Sequence, residues 1–261
     1  MSSAANLICR YIGAPSLRDY ILNKGTSGDQ SVGQIYDRAA NVVRAIYDSR
    51  IATPATLEAE RYFPNARLFD ERWIEIRDEA FAVAGMLRHI PRFHDIMPAQ
   101  ADISANDGRD WRVFIMKAYG VTLENNLRQA PAVASILAKT PEVMSATFSF
   151  LAPGKHIPEH RGPFRAILRY HLMLSMPEDD AGRPACVMNI DGVPYRLGDG
   201  ESLLWDDTYR HEVWNTSDRV RIALLLDVWR RDMPTDIALL SRAILFGTQT
   251  AIRMGGLSYN P

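Results

Sequence analysis

"PACVMNIDGVPYRLGDGESLLWDD", Pro184 to Asp207, holds three short apolar runs separated by Asp191-Gly192 and Asp199-Gly200. Short runs rich in β-branched and aromatic residues, cut by turn-forming pairs, read as strands. Within it "NIDGVPYRL" is the strongest hairpin signal of the chain, because Asp-Gly suits the tight turn whose twist matches that of its flanking strands. The pattern extends outward in both directions, through "DWRVFIMKAYG", "MSATFSFLAPG" and "FRAILRYHLMLSM" before it and "VRIALLLDVW" after it. Strands recurring at intervals of roughly ten residues predict a sandwich or barrel rather than a βαβ sheet.

Towards the N-terminus the apolar period lengthens. "QIYDRAANVVRAIYD" sets Ile35, Ala39, Val42, Val43 and Ile46 on one helical stripe, and "DERWIEIRDEAFAVAGML" repeats the spacing with Trp73, Ile76, Ala80, Val83 and Leu87. "APAVASILAKTPEV" reads as a shorter helix stopped by Pro141, and a helix-like tail, "PTDIALLSRAILFGTQTAIR", follows Trp229. The expected class is α+β: a helical N-terminal half on a β-sandwich, closed by a C-terminal helix. The expected divisions are a helical N-terminal extension over 1–55, a sandwich domain with supporting helices over 56–232 and a helical tail over 233–261, packed as one compact unit.

The chain has 261 residues, 47% hydrophobic and 23% charged, enough for a sizeable core. A net charge of −1 gives no support for a nucleic-acid binder. Two cysteines, Cys9 and Cys186, are too few for a disulfide framework and point to a reducing cytoplasm. The N-terminal stretch lacks a signal-peptide pattern, and the apolar run "IALLSRAILFG" is broken by Ser241 and Arg242, so no transmembrane segment is expected. The tail, with Ile237, Leu240, Ile244 and Leu245 opposite Arg242, is read first as a helix docked on the sandwich. Its second reading is peripheral contact with a membrane surface, at the inner face.

Six histidines are distributed unevenly. His89 and His94, in "RHIPRFHD", are expected on the surface. His156 and His160 stand four residues apart in "FLAPGKHIPEHRGPF", and His211 lies amid aromatic strand material in "WDDTYRHEVWN". Each alone reads as an ordinary loop or core histidine. Arg169 and His171 share one face of a strand whose other face carries Leu168, Leu172 and Leu174. "RVRIALLLDVW" likewise sets Arg219 and Arg221 on one face of an apolar strand. Buried guanidinium groups require anionic partners. Together the inward basic residues and histidines describe a metal with a dicarboxylate beside it.

At these residues the chain resembles a known family. "FSFLAPGKHIPEHRGPFRAILRYHL", "LLWDDTYRHEVWN" and "VRIALLLDVW" are similar to the aspartyl/asparaginyl β-hydroxylase family of Fe(II)- and 2-oxoglutarate-dependent dioxygenases. The resemblance covers roughly residues 60–230, with its motif core from Ser149 to Trp229. "LAPGKHIPEHRGP" and "LRYHL" look most like the bacterial branch that 2-hydroxylates acyl chains of lipid A, beside related enzymes of ornithine lipids. Members of the lipid A branch carry an N-terminal hydrophobic anchor, which this sequence does not show.

The resemblance implies a double-stranded β-helix, the jelly-roll or cupin-like sandwich. It implies His160 and His211 as the metal ligands and leaves Gly162 where a facial triad would supply a carboxylate. It further implies 2-oxoglutarate contacts from Ser149, Arg169, His171 and Arg221, with Trp111 as a wall. Arg221 and the Ser149 hydroxyl would hold the far carboxylate, and Arg169 and His171 would serve the end near the metal or substrate. His156 is assigned a supporting or loop-packing role, while Asp206 and Asp207 are expected to orient His211 or cap a strand.

The implied reaction is oxidative decarboxylation of 2-oxoglutarate by O2 coupled to hydroxylation of an unactivated C–H bond. Two substrates compete: a fatty-acyl chain of a lipid, or an aspartyl, asparaginyl or related side chain in a peptide or metabolite. From other classes, a non-catalytic metal- or acid-binding sandwich would not need His160, His211 and Arg221 together, and a zinc hydrolase would want three protein ligands and a general base. No nucleophile-elbow, P-loop or dinucleotide motif is present.

Overall fold

The computed structural model describes residues 29–255. In chain order these form helix α1 (Asp29–Asp48), strand β1 (Thr56–Leu57), helix α2 (Trp73–Ala84), β2 (Trp111–Ala118), β3 (Val121–Thr122), α3 (Pro131–Leu137) and β4 (Val143–Leu151). There follow β5 (His156–His160), β6 (Ile167–Ser175), β7 (Cys186–Ile190), β8 (Val193–Tyr195), β9 (Ser202–Trp205), β10 (His211–Asn215), β11 (Arg221–Trp229) and helix α4 (Thr235–Gly255). Short helical turns fill several of the connections.

The strands build two sheets, in the orders β1-β9-β6-β11-β4-β2-β3 and β5-β10-β7-β8. Both are antiparallel throughout. Antiparallel strands alternate their side chains between two faces, and the large sheet uses both. One face presents Phe114, Phe148, Phe150, Leu168, Tyr170, Leu172, Leu224 and Leu226 to Ile76, Ala80 and Val83 of α2 and Val133 and Ile136 of α3. The other presents Trp111, Val113 and Leu151 to Ile157, Met188, Ile190 and Val213 of the small sheet. Burying each Leu or Phe of these clusters contributes about 1.5–3 kcal/mol. The architecture is the expected α+β jelly-roll sandwich, with helices on the outer face of the large sheet and a C-terminal helix.

The hairpin of the opening stretch forms as read. Ile190 pairs with Val193 across the turn, and Asp191 (φ 51°) and Gly192 (φ 82°) both take the left-handed conformation, as a type I′ turn requires.

Three local expectations are corrected. His156–His160, not among the strands read from the sequence, is a strand. Pro158 lacks a ladder donor, which β5 tolerates because it is an edge strand of the small sheet. Arg219 precedes β11 and is exposed, whereas Arg221 opens the strand and is buried. In α1 the stripe turns: Val42 and Ile46 are 57% and 42% exposed, while Ala40, Arg44 and Tyr47 are buried. Polar contacts set that face, since the Tyr47 hydroxyl bonds Ser241 Oγ of α4 at 2.6 Å and Arg44 bonds backbone carbonyls. The side chains of Ile35 and Ala39, residues 1–28 of the expected extension, and Cys9 lie outside the described residues.

Helix α4 is docked through Ile237, Ser241 and Leu245, leaving Leu239, Phe246 and Met254 exposed. Among the described residues no helix is long and apolar enough to cross a membrane.

Candidate active site

β5 and β10 pair so that His160 lies directly across from His211. Their rings are tilted at 58° with centroids 4.0 Å apart. Each is held the same way: His160 Nδ1 donates to the Pro158 carbonyl at 2.8 Å, and His211 Nδ1 donates to the Tyr209 carbonyl at 2.9 Å. A carbonyl only accepts, so Nδ1 carries the proton in both rings and Nε2 keeps its lone pair. Burial drives both imidazoles below their ordinary pKa; the Arg169 charge adds to the effect at each, and at His211 the neighbouring His160 adds more. Two neutral imidazoles are thus presented with their Nε2 atoms available, which suits a divalent transition metal.

Among the described residues no set of three His, Cys, Asp or Glu side chains gathers to hold a metal. The room at Gly162 shows why no side-chain donor stems from its position. A Cβ there would lie 2.6 Å from Asp207 Oδ2 and closer still to Oδ1. The carboxylate of Asp207 fills that room, and the Gly162 amide donates to the Asp207 carbonyl at 2.7 Å. Burial, helped by Asp227 and Asp206 and opposed by Arg169, pushes the Asp207 carboxyl up to about 7.

Ser149, His171 and Arg221 lie on the inner face of the large sheet and are buried. Arg221 shares a pocket with His171, Met173, Cys186, Met188 and Val213. Its Nη1 is buried without a hydrogen-bond partner, and burial, partly offset by the Cys186 thiol, lowers its pKa. An orphaned guanidinium nitrogen in a mostly apolar pocket fits a carboxylate ligand. The Trp111 indole N–H donates to Ser149 Oγ at 3.0 Å, leaving the hydroxyl proton free to be given elsewhere. Phe93 stacks on Trp111 at 4.0 Å and fixes the indole plane.

Arg169 is already engaged, by Asp227 at 2.9 Å and Asp207 at 3.3 Å. Burial would lower its pKa, but those two carboxylates outweigh it and hold the guanidinium charged. His171 is driven well below the ordinary imidazole value by burial, then by Arg221 and Arg169.

Two expected roles are corrected. Asp206 does not orient His211, whose Nδ1 is fixed by a backbone carbonyl instead. Asp206 is fully buried and accepts from Arg230 Nη2 at 2.5 Å and from Thr208 Oγ1 at 2.6 Å, and pairs with Arg165 at 2.9 Å. His156 stacks on exposed Trp214 at 3.3 Å and bonds Glu212 at 3.2 Å. Glu212 and Trp214 alternate with the inward His211 and Val213, so His156 sits on the outer face of the small sheet, away from the imidazole pair. His89 is exposed, and His94 is half-buried with Nδ1 3.0 Å from Ser104 Oγ.

Trp205 escaped the sequence reading because a tryptophan ending "SLLW" looks like core. It stands edge-on to both His211 (4.6 Å) and His171 (5.5 Å), and its buried Nε1 has no partner.

A family model described as Aspartyl/Asparaginyl beta-hydroxylase matches residues 70–231. The Ornithine lipid ester-linked acyl 2-hydroxylase of Rhizobium tropici is 34% identical over 165 residues, 63% of this chain and 57% of that protein. The Aspartyl/asparaginyl beta-hydroxylase of Homo sapiens is 27% identical over 177 residues, 66% of this chain and 22% of that protein. The chain therefore spans little more than half of the first relative and about a fifth of the second. Among solved structures, KdgF from Halomonas sp. overlaps 47% of this chain and 81% of its own at 13% identity, with a TM-score of 0.30.

Proposed function

The chain belongs to the aspartyl/asparaginyl β-hydroxylase family, and from that premise we propose that it is an Fe(II)- and 2-oxoglutarate-dependent dioxygenase that hydroxylates an acyl chain of a lipid. The observation that carries the reading is the pair of facing imidazoles, each with Nδ1 tied to a carbonyl and Nε2 available. His160 and His211 would hold the metal, and Gly162 would leave the rest of its coordination to co-substrate, oxygen and water. Bound iron and 2-oxoglutarate would supply the oxidising power for the C–H bond.

The protein's own part is binding, orientation and exclusion of water. Arg221, with its orphaned Nη1, would take one carboxylate of 2-oxoglutarate, and Ser149, accepting from Trp111, would donate its hydroxyl proton to it. His171 stays neutral beside Arg221 and would present an uncharged ring to the co-substrate. Arg169, neutralised by Asp207 and Asp227, would orient groups near the metal rather than carry a carboxylate alone. The indole N–H of Trp205 would donate to an oxygen bound between His171 and His211.

An acyl lipid is favoured over an aspartyl side chain by the 34% identity to an ornithine lipid acyl hydroxylase and by the exposed Leu239 and Phe246 on α4, which would suit a lipid surface. To test the reading, iron-loaded protein is given 2-oxoglutarate and O2 with an ornithine lipid or an aspartyl peptide, and succinate and hydroxylated product are measured. Succinate coupled to one added oxygen on the acyl chain is expected. Product only from the peptide would overturn the substrate assignment, and no succinate with either would overturn the dioxygenase reading.

A further inference from the structure

Helix α1 and the segment after it precede the stretch matched by the family model, which begins at residue 70. Yet this part of the chain fastens the backbone beside both candidate ligands. Arg44 is only 9% exposed. Its Nη1 donates to the carbonyls of Arg161 (3.3 Å) and Gly162 (3.1 Å), the two residues after His160, while Asn41 Oδ1 accepts from Nη2 at 2.6 Å. The Arg44 charge also acts on the Asp207 carboxylate, which fills the room above Gly162.

The following segment grips the other ligand's loop. The Ala55 carbonyl accepts from the Asp206 amide at 2.8 Å, and the Thr53 carbonyl accepts from the Tyr209 hydroxyl. Arg230 joins Thr53 Oγ1 (3.1 Å) to Asp206, and Arg165 joins the Ile51 carbonyl (3.0 Å) to the same carboxylate. Tyr209 is the residue whose own carbonyl fixes the His211 tautomer. Two loops 45 residues apart (162 to 207) are therefore brought into register by a third piece of chain that contributes no ligand.

We propose that α1 and residues 51–55 complete the active site, with Arg44 as a positioning residue that sets the His160–Gly162 backbone so the two imidazoles converge on one metal. This rests on the two-imidazole reading above. One guanidinium holds both carbonyls through Nη1 and Asn41 through Nη2, a planar two-nitrogen arrangement that a single ammonium cannot reproduce in full, so Lys should restore the function only in part.

The test uses the full chain and Co(II) as the probe, with affinity titrated by its visible absorption and thermal melting followed in the same preparations. Arg44→Ala should bind Co(II) about tenfold more weakly, in line with the loss of a group that orients a metal ligand, while still melting cooperatively above the assay temperature. Arg44→Lys should fall between it and the wild type. Arg50→Ala, which removes an exposed pair with Asp236 near the end of the same helix, should bind as the wild type does. Wild-type affinity in Arg44→Ala would overturn the proposal, as would an equal loss in Arg50→Ala, which would mean general loosening. Should Arg44→Ala not fold, Arg44→Lys decides, and unchanged affinity there counts against the proposal. A wild type that binds no Co(II) would remove the two-imidazole reading and this inference with it.

Discussion

Gly162 sits two residues after His160, and the space where its side chain would begin belongs to the Asp207 carboxylate. Even a methyl group must displace that carboxylate or the backbone, so Gly162→Ala should cost about 1–3 kcal/mol of stability, as overpacked sites do, measured as a shift in the urea midpoint. A near-neutral Gly162→Ala would mean that the two loops are not held this closely. Trp205 gives a second residue-level prediction. If its orphaned N–H meets a co-substrate oxygen, Trp205→Phe should weaken 2-oxoglutarate binding about tenfold, the value of one hydrogen bond to a charged group, with metal affinity unchanged. Anaerobic titration of 2-oxoglutarate into the metal-loaded variant checks this, and unaltered affinity would leave Trp205 a core residue. The imidazoles themselves carry a pH signature. Both are lowered by burial, so in metal-free protein they stay neutral where an unfolded histidine, at about 6.5, begins to take up protons. The unfolded chain then binds more protons, and their contribution to stability is lost as the pH falls through about 6.5 towards the folded values. His211→Asn should make that loss shallower in urea melts between pH 7.5 and 5.5; an unchanged slope would contradict the assignment.

At the scale of elements, the strands with strict alternation were legible and those without it were not. β6 could be read from Arg169 and His171 on one face and leucines on the other, and the β7–β8 hairpin from Asp191-Gly192. β5 could not, because Pro158 and a polar composition say loop, and only pairing with β10 makes a strand of it. The partners of Arg169 were hidden for a related reason: Asp227 lies across from it on β11 and Asp207 reaches it from a loop, and such neighbours depend on register between distant segments. The loop from Asp206 to Arg210 is anchored by a buried ionic hub, Asp206 with Arg230 and Arg165. Removing the carboxylate strands two guanidinium groups, so Asp206→Ala should cost about 3–5 kcal/mol. A loss under 1 kcal/mol in equilibrium unfolding would mean that Asp48, also paired with Arg165, or water can replace it.

Across the whole molecule, the sandwich places the inward basic residues of the candidate site on the inner face of the large sheet, with α2 and α3 on its far side. That division follows from period-two patterning with two apolar faces on the large sheet and was visible in the sequence as a class of fold. The part played by α1 was not visible, because its buried face is chosen by Arg44 and Tyr47 making polar contacts and not by its apolar stripe. One pair of side chains, His160 and His211, decides whether the protein holds a metal. Anaerobic Fe(II) binding by equilibrium dialysis should find one iron per chain in the wild type and in His156→Ala, whose ring lies on the outer face, and none in His160→Ala or His211→Ala. Retention of iron at wild-type affinity by either of the last two, or its loss in His156→Ala, would contradict the account.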